Sequence, residues 1–135
     1  MKKDIKQKNS YIVVDLDGTP CKTKKTNQSY SDVKPNINIV RKLKEYKNLG
    51  YSIAILTSRN MRTYKNNLGK INAVTLKTIL EWLERYSVPY DEIYVGKPWC
   101  GLNGFYIDDK TIRPDEFINL TLKEIHVLLE KKASE

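Results

Sequence analysis

The chain has 135 residues, enough for one domain of ordinary size that buries roughly two-thirds of its unfolded surface and too few for two. Hydrophobic residues make up 40% and charged residues 30%, a balance that excludes a disordered chain and fits a globular one. Lys plus Arg (24) exceed Asp plus Glu (16), so the net charge of +8 favours anionic ligands, although the lysines are dispersed rather than gathered into one block.

No apolar run reaches the ~20 residues needed to cross a bilayer, and the N-terminus has no signal-peptide core, so the expected location is the cytoplasm, with no membrane partner. Cys21 and Cys100 are too few for a disulfide framework and match no zinc spacing, which predicts reduced thiols. Residues 1–9 are Lys-rich and read as a solvated basic tail.

Tyr11-Ile12-Val13-Val14 is a short β-branched and aromatic run that predicts a buried strand, with Asp15-Leu16-Asp17-Gly18-Thr19 at its carboxyl end. Residues 20–34 lack apolar periodicity and predict a flap-like loop beside those acids, with Pro20 removing one backbone donor at its start. Ile39, Val40, Leu43 and Tyr46 lie at helical spacing between Pro35 and a capping Gly50. Tyr51 to Leu56 predicts a second strand that ends in Thr57-Ser58-Arg59-Asn60.

A polar loop through Asn72 is expected next, then a second helix carrying Leu76, Ile79, Leu80, Leu83 and Tyr86, which stops before Pro89. Glu92-Ile93-Tyr94-Val95 predicts a third strand ahead of Gly96-Lys97-Pro98, and Gly104-Phe105-Tyr106-Ile107 a fourth ahead of Asp108-Asp109. Thr121-Leu122-Lys123-Glu124 has capping-box spacing and opens a last helix, whose His126 reads as structural. Strands alternating with helices predict a single α/β domain over residues 1–135, a Rossmann-like three-layer sandwich with a mainly parallel sheet.

In open α/β sheets, ligands bind beyond the carboxyl ends of the strands, and here four such ends carry chemically useful groups. Carboxylates from the first and fourth ends suit the oxygen-rich coordination of Mg²⁺, while a hydroxyl and an ammonium suit phosphate oxygens. Each group alone could be a turn or a cap; their joint placement points to phosphate chemistry.

The string Asp15-Leu16-Asp17-Gly18-Thr19, then Thr57 after an apolar strand, Lys97, and the pair Asp108-Asp109, together resemble the four motifs of the haloacid dehalogenase (HAD) superfamily, in the expected order over residues 11–109. Arg59 to Tyr64, Gly69 to Asn72, Val95 to Gly101 and Phe105 to Asp109 resemble more closely a compact branch known as capsule-biosynthesis phosphatases.

The resemblance implies a Mg²⁺-dependent phosphomonoesterase with Asp15 as nucleophile and Asp17 as general acid and base. Thr57, Ser58 and Lys97 would bind the phosphoryl group, and Asp15, Asp17, Asp108 and, less directly, Asp109 would serve the metal. Arg59, Asn60, Arg62, Tyr64, Lys70 and Trp99 are candidates for contact with the rest of the substrate, or for pinning a long loop.

There is no room for a large cap domain on either side of Thr57, so the site is expected to be open, covered by a large substrate or by a neighbouring subunit of a homo-oligomer. The expected substrate is a phosphorylated sugar, polyol or related precursor of a surface polysaccharide. A nucleic-acid end phosphatase, motivated by the charge, and a non-catalytic binding module with the same fold are the alternatives, and nucleic acid is the disfavoured partner of the two substrate classes.

Overall fold

The computed structural model describes residues 9–133; the expected basic tail falls almost wholly outside them. Contacts divide the chain into two compact units, Met1–Trp99 and Cys100–Glu135.

The first unit is built on a three-stranded parallel sheet, β1 (Tyr11–Val14), β2 (Ser52–Thr57) and β3 (Glu92–Val95), in the order β1-β2-β3. Val14 lies opposite Ile55 and Thr57 opposite Val95, so all three strands run in the same direction and stop at the same side. Parallel neighbours require crossovers, which the helices provide. α1 (Ile37–Asn48) joins β1 to β2, and a continuous helical stretch joins β2 to β3: α2 (Leu68–Lys70), a π-helical turn (Ile71–Thr75) and α3 (Leu76–Arg85).

Burial follows the apolar pattern in the helices and in β2, whereas β1, expected to be buried, exposes Tyr11 and Val13 because it lies at the edge of the sheet. Ile39, Val40, Leu43 and Tyr46 of α1, and Ile79, Trp82 and Leu83 of α3, are buried with Ile53, Ala54 and Ile55 of β2. Full burial of each large aliphatic side chain stabilises the fold by about 1.5–3 kcal/mol. Gly50 ends α1 with φ of 106°, a backbone state that favours glycine, as its expected role as a cap requires.

The loop of residues 20–34 is anchored at both ends rather than free along its length. Cys21 bridges to Asp17 on one side and Pro35 on the other, and the Lys22 amide donates to the Lys34 carbonyl. Pro20 is buried and its carbonyl accepts from the Asn36 amide, which ties the start of the loop to the start of α1. Near its far end, a 3₁₀ turn (Tyr30–Asp32) leads to buried Val33, whose carbonyl accepts from Trp82 Nε1 at 2.7 Å.

In the second unit, α4 (Pro114–Asn119) and α5 (Leu122–Ala133) follow an irregular segment. α5 starts with the expected capping box: Glu124 Oε1 accepts from the Thr121 amide at 2.9 Å and Thr121 Oγ1 from the Glu124 amide at 3.2 Å. The fourth strand expected at Gly104–Ile107 is not formed; Phe105 and Ile107 are 77% and 89% exposed. Strand propensity alone does not make a strand, which exists only where its backbone finds an edge to pair with. Among the described residues, no helix is long and apolar enough to cross a membrane, and both cysteines are free thiols.

Trp82 ties the end of the loop to α3 through one buried hydrogen bond. Replacing it with Phe leaves the Val33 carbonyl buried and unsatisfied, and is expected to lower unfolding free energy by roughly 1–3 kcal/mol in urea titrations. A loss below about 0.3 kcal/mol would show that the bond does not hold the loop.

Candidate active site

The site is assembled where β1, β2 and β3 stop. Asp15 is the first residue after β1, and Leu16 turns inward, fully buried, with its carbonyl accepting from the amides of both Thr19 and Cys21. That tight wrap, with Gly18 at a φ of 89°, leaves Asp15 and Asp17 on either side of one buried side chain and both half-buried themselves.

Thr57, 1% exposed, ends β2. Its Oγ1 accepts from the Arg59 amide at 3.1 Å. With an oxygen lone pair so occupied, its hydroxyl proton remains free to donate. Lys97 is brought in by the chain beyond β3, where its amide donates to the Thr57 carbonyl at 3.1 Å and extends the ladder by one step. Gly96, at φ of 88°, makes the turn, and a Cβ there would lie 2.7 Å from Leu68 Cδ2.

Asp15 sits between two donors. Lys97 Nζ lies 3.4 Å from Oδ1 and Thr19 Oγ1 lies 3.3 Å from Oδ2. Burial pushes the Asp15 carboxyl up, and the Lys97 ammonium is the main opposing pull. Lys97 therefore favours the ionised form that a nucleophile requires.

Asp17 has a different environment. Arg59 Nε donates to its Oδ2 at 3.1 Å and Nη2 to its Oδ1 at 2.8 Å, a fork that engages both carboxylate oxygens. Arg59 is 3% exposed, so it is a partner of Asp17 rather than a free contact for the distal part of a substrate. Cys21 Sγ accepts from Nη2 at 3.6 Å, and burial pushes its thiol up to about 12, so it stays protonated and takes no part as a thiolate.

Of the other candidates, Asn60 pins the loop: its Oδ1 accepts from Thr75 Oγ1, in the π-helical turn, at 2.7 Å. Ser58 is half-buried beside Thr57, and its carbonyl accepts from the Met61 amide. Arg62 lies over the Trp99 ring at 5.2 Å and Lys70 over the Tyr64 ring at 5.5 Å, two cation–aromatic pairs in which both cations are exposed. The structure thus brings Asp15, Asp17, Thr57, Ser58, Arg59 and Lys97 together at the strand ends. Asp108 and Asp109 belong to the second unit and are exposed there, with Asp108 Oδ1 accepting from the Lys110 amide at 2.8 Å.

Two contributors were not read from the sequence as site residues. Thr19 is legible only as the last residue of the Asp15–Thr19 string, and Tyr30, whose ring centroid lies 4.0 Å from the Arg59 guanidinium carbon, is the aromatic of an otherwise polar loop. An isolated aromatic in such a loop was the available signal.

The architecture is that of a small Rossmann-like α/β fold with an open parallel sheet, with no segment between β1 and β3 long enough for a large cap. The chain is 52% identical to an MCSG target protein from Vibrio cholerae whose crystal structure it matches with a TM-score of 0.87, covering 91% of this chain and 98% of that one, and it belongs to the same family. A chain in the structure of a Pnkp1/Rnl/Hen1 complex is similar in fold at 19% identity and a TM-score of 0.51, over 88% of this chain and 37% of that one. No family model and no curated protein matches the chain.

The two acids are expected to respond oppositely to neutralisation. For Asp15, a folded-state carboxyl raised above its unfolded value opposes folding once ionised and does not when protonated in both states. In EDTA, Asp15→Asn should therefore raise Tm at neutral pH, with the gain fading as pH falls below the ordinary carboxylate range. Asp17→Asn, by contrast, leaves buried Arg59 short of its counter-charge and should cost roughly 1–3 kcal/mol. Equal effects of the two substitutions on thermal unfolding would contradict the two environments described.

Proposed function

We propose that the chain is a Mg²⁺-dependent phosphomonoesterase that works through an aspartyl phosphate on Asp15. The observation that carries this reading is the Asp15 carboxylate at the end of β1, half-buried and held between Lys97 Nζ and Thr19 Oγ1, with the Thr57 hydroxyl on the neighbouring strand.

A Mg²⁺ ion is normally held by one or two carboxylates together with water and substrate phosphate, so a complete protein cage is not required. Among the described residues no three His, Cys, Asp or Glu side chains gather as such a cage. The half-buried carboxylate of Asp15 fits a partial site of this kind. By the HAD resemblance the Asp17 main-chain carbonyl would be a further ligand, and Asp108, with Asp109 in a supporting role, is the candidate that the second unit carries. The ion would offset the repulsion between the nucleophile and an anionic phosphate.

The remaining steps fall to the chain itself. An Asp15 carboxylate oxygen attacks phosphorus as the bond to the leaving oxygen breaks, and Asp17, protonated on an oxygen released from the Arg59 fork, gives the leaving oxygen that proton. Asp17 then takes a proton from water, whose oxygen bonds to phosphorus as the Asp15–phosphorus bond breaks. Lys97 and the Thr57 hydroxyl stabilise the charge on the transferring group, and the Ser58 backbone can add a donor.

The resemblance to the capsule-biosynthesis branch supports a phosphorylated sugar or polyol as substrate, handled in the cytoplasm. Arg62 over Trp99 and Lys70 over Tyr64 offer cationic and aromatic surface for its distal part. A second reading, a nucleic-acid end phosphatase, draws on the same exposed pairs, the net charge of +8 and the fold shared with a chain of the Pnkp1/Rnl/Hen1 complex.

Phosphate release from an aryl phosphate and from a panel of sugar, polyol and nucleotide monophosphates is expected with Mg²⁺ and not with EDTA, and is expected to be lost in Asp15→Asn. Release that survives in Asp15→Asn would remove the nucleophile assignment. Oligonucleotide 3′- and 5′-phosphates, tested for both turnover and binding, separate the two substrate readings. A steep fall in binding with salt, and turnover of phosphorylated ends above that of sugar phosphates, would select the second.

A further inference from the structure

We propose that Arg59 is a positioning residue for Asp17, and that Tyr30 clamps Arg59 so that the loop between β1 and α1 and the Asp17 carboxylate act as one coupled element. The inference deepens the phosphatase reading and rests on it, while its geometry stands on contacts within the first unit.

A guanidinium is buried at a cost unless its donors are satisfied, so where the donors of Arg59 go reveals what it serves. Two of its three nitrogens go to Asp17, one to each carboxylate oxygen, at 3.1 and 2.8 Å. The planar fork fixes the plane of the carboxylate as well as its position, which a lysine, as a point charge, would not do. The third nitrogen, Nη1, is buried and has no hydrogen-bond partner among the described residues, and the other acceptor on the side chain is Cys21 Sγ, 3.6 Å from Nη2.

The flat face of the guanidinium is covered by Tyr30, with its ring centroid 4.0 Å from Cζ. Tyr30 opens the 3₁₀ turn, and that turn is fastened to α3: Arg85 Nη1 donates to the Ser31 carbonyl at 2.8 Å, and Trp82 Nε1 to the Val33 carbonyl. Lys24, from the same loop, lies 5.5 Å from the Tyr30 ring and donates to the Gln28 carbonyl at 3.2 Å. Contacts therefore run from α3 through the turn to Tyr30, to Arg59 and to Asp17. Arg59 is also held from its own backbone, whose amide donates to Thr57 Oγ1.

This arrangement gives Arg59 a role that differs from substrate binding. When one Asp17 oxygen is released to carry a proton, the other stays on Arg59, which aims the group that passes the proton to the leaving oxygen, so removal of Arg59 should matter most where the leaving group needs that proton. An alkyl phosphate needs it, whereas a p-nitrophenyl phosphate leaves as a stabilised anion and does not.

The test is single-turnover and steady-state kinetics of wild type, Arg59→Gln, Arg59→Lys and Tyr30→Leu on p-nitrophenyl phosphate and on glycerol phosphate. For Arg59→Gln, phosphorylation of the enzyme by glycerol phosphate should fall by about 100-fold, the scale of general acid catalysis. Phosphorylation by the aryl ester should fall by much less, and KM for both should stay close to the wild-type value. Lysine should not restore the loss, and Tyr30→Leu should show the same leaving-group selectivity at smaller size. Equal losses on both esters, or a raised KM with unchanged kcat, would overturn the proposal.

A readout independent of turnover separates this idea from the phosphatase reading. The Arg59 Nε–H resonance should be protected from exchange with solvent in the wild type and should lose that protection in both Asp17→Asn and Tyr30→Leu. An Nε–H signal unchanged by either substitution would overturn the coupling even in a chain that releases no phosphate. A normal response in such a chain would support the coupling and remove the phosphatase reading alone.

Discussion

Everything at the site depends on the parallel register of three short strands. Because β1, β2 and β3 run the same way, with Val14 opposite Ile55 and Thr57 opposite Val95, their carboxyl ends open on one side. The residues that follow, Asp15, Ser58 and Lys97, need no long-range design beyond that pairing to become neighbours. The amide of Lys97 donating to the Thr57 carbonyl is the last step of the ladder and the first contact of the site. A one-residue slip would turn the core face of β2 toward solvent and disperse the site at once, so burial of Ile53 and Ile55 fixes the chemistry as firmly as it fixes the fold.

Within that frame the two acids are given different environments by what surrounds them. Asp15 is partly desolvated and faces a single ammonium at 3.4 Å, which leaves its side chain partly accessible. Asp17 has both oxygens engaged by one buried arginine, which fixes its direction. Two carboxylates two residues apart thus have one loosely held and the other rigidly held, an arrangement suited to a nucleophile and a proton carrier. The stacked Tyr30 extends the second environment into the loop between β1 and α1, and the bonds from Trp82 and Arg85 extend it to α3.

Much of this was legible in the sequence, for a physical reason. Short β-branched runs such as Tyr11 to Val14 and helices with strong apolar periodicity such as Leu76 to Arg85 carry their local structure in their own residues. The capping box at Thr121 and Glu124 is equally local. Gly104 to Ile107 also carried strand propensity, but a strand requires a partner that no local pattern can supply, and the segment has none in the sheet order. α4 was missed although Pro114 at its first position and acids in its first turn marked it, because six residues are too few to show a period. Arg59 reads in the sequence as either a substrate contact or a pin for a long loop, since a sequence does not disclose that an arginine beside a strand end is buried and paired with an acid 42 positions earlier.

The account makes Asp15 a covalent carrier of phosphate, and acid-quenched peptide mass spectrometry after rapid mixing with a phosphorylated substrate and Mg²⁺ tests that claim most directly. The account predicts one phosphoryl adduct on the peptide that contains Asp15, labile to hydroxylamine and accumulating in Asp17→Asn with the aryl ester. Substrate turnover with no adduct on that peptide, in the wild type and in Asp17→Asn alike, would contradict it.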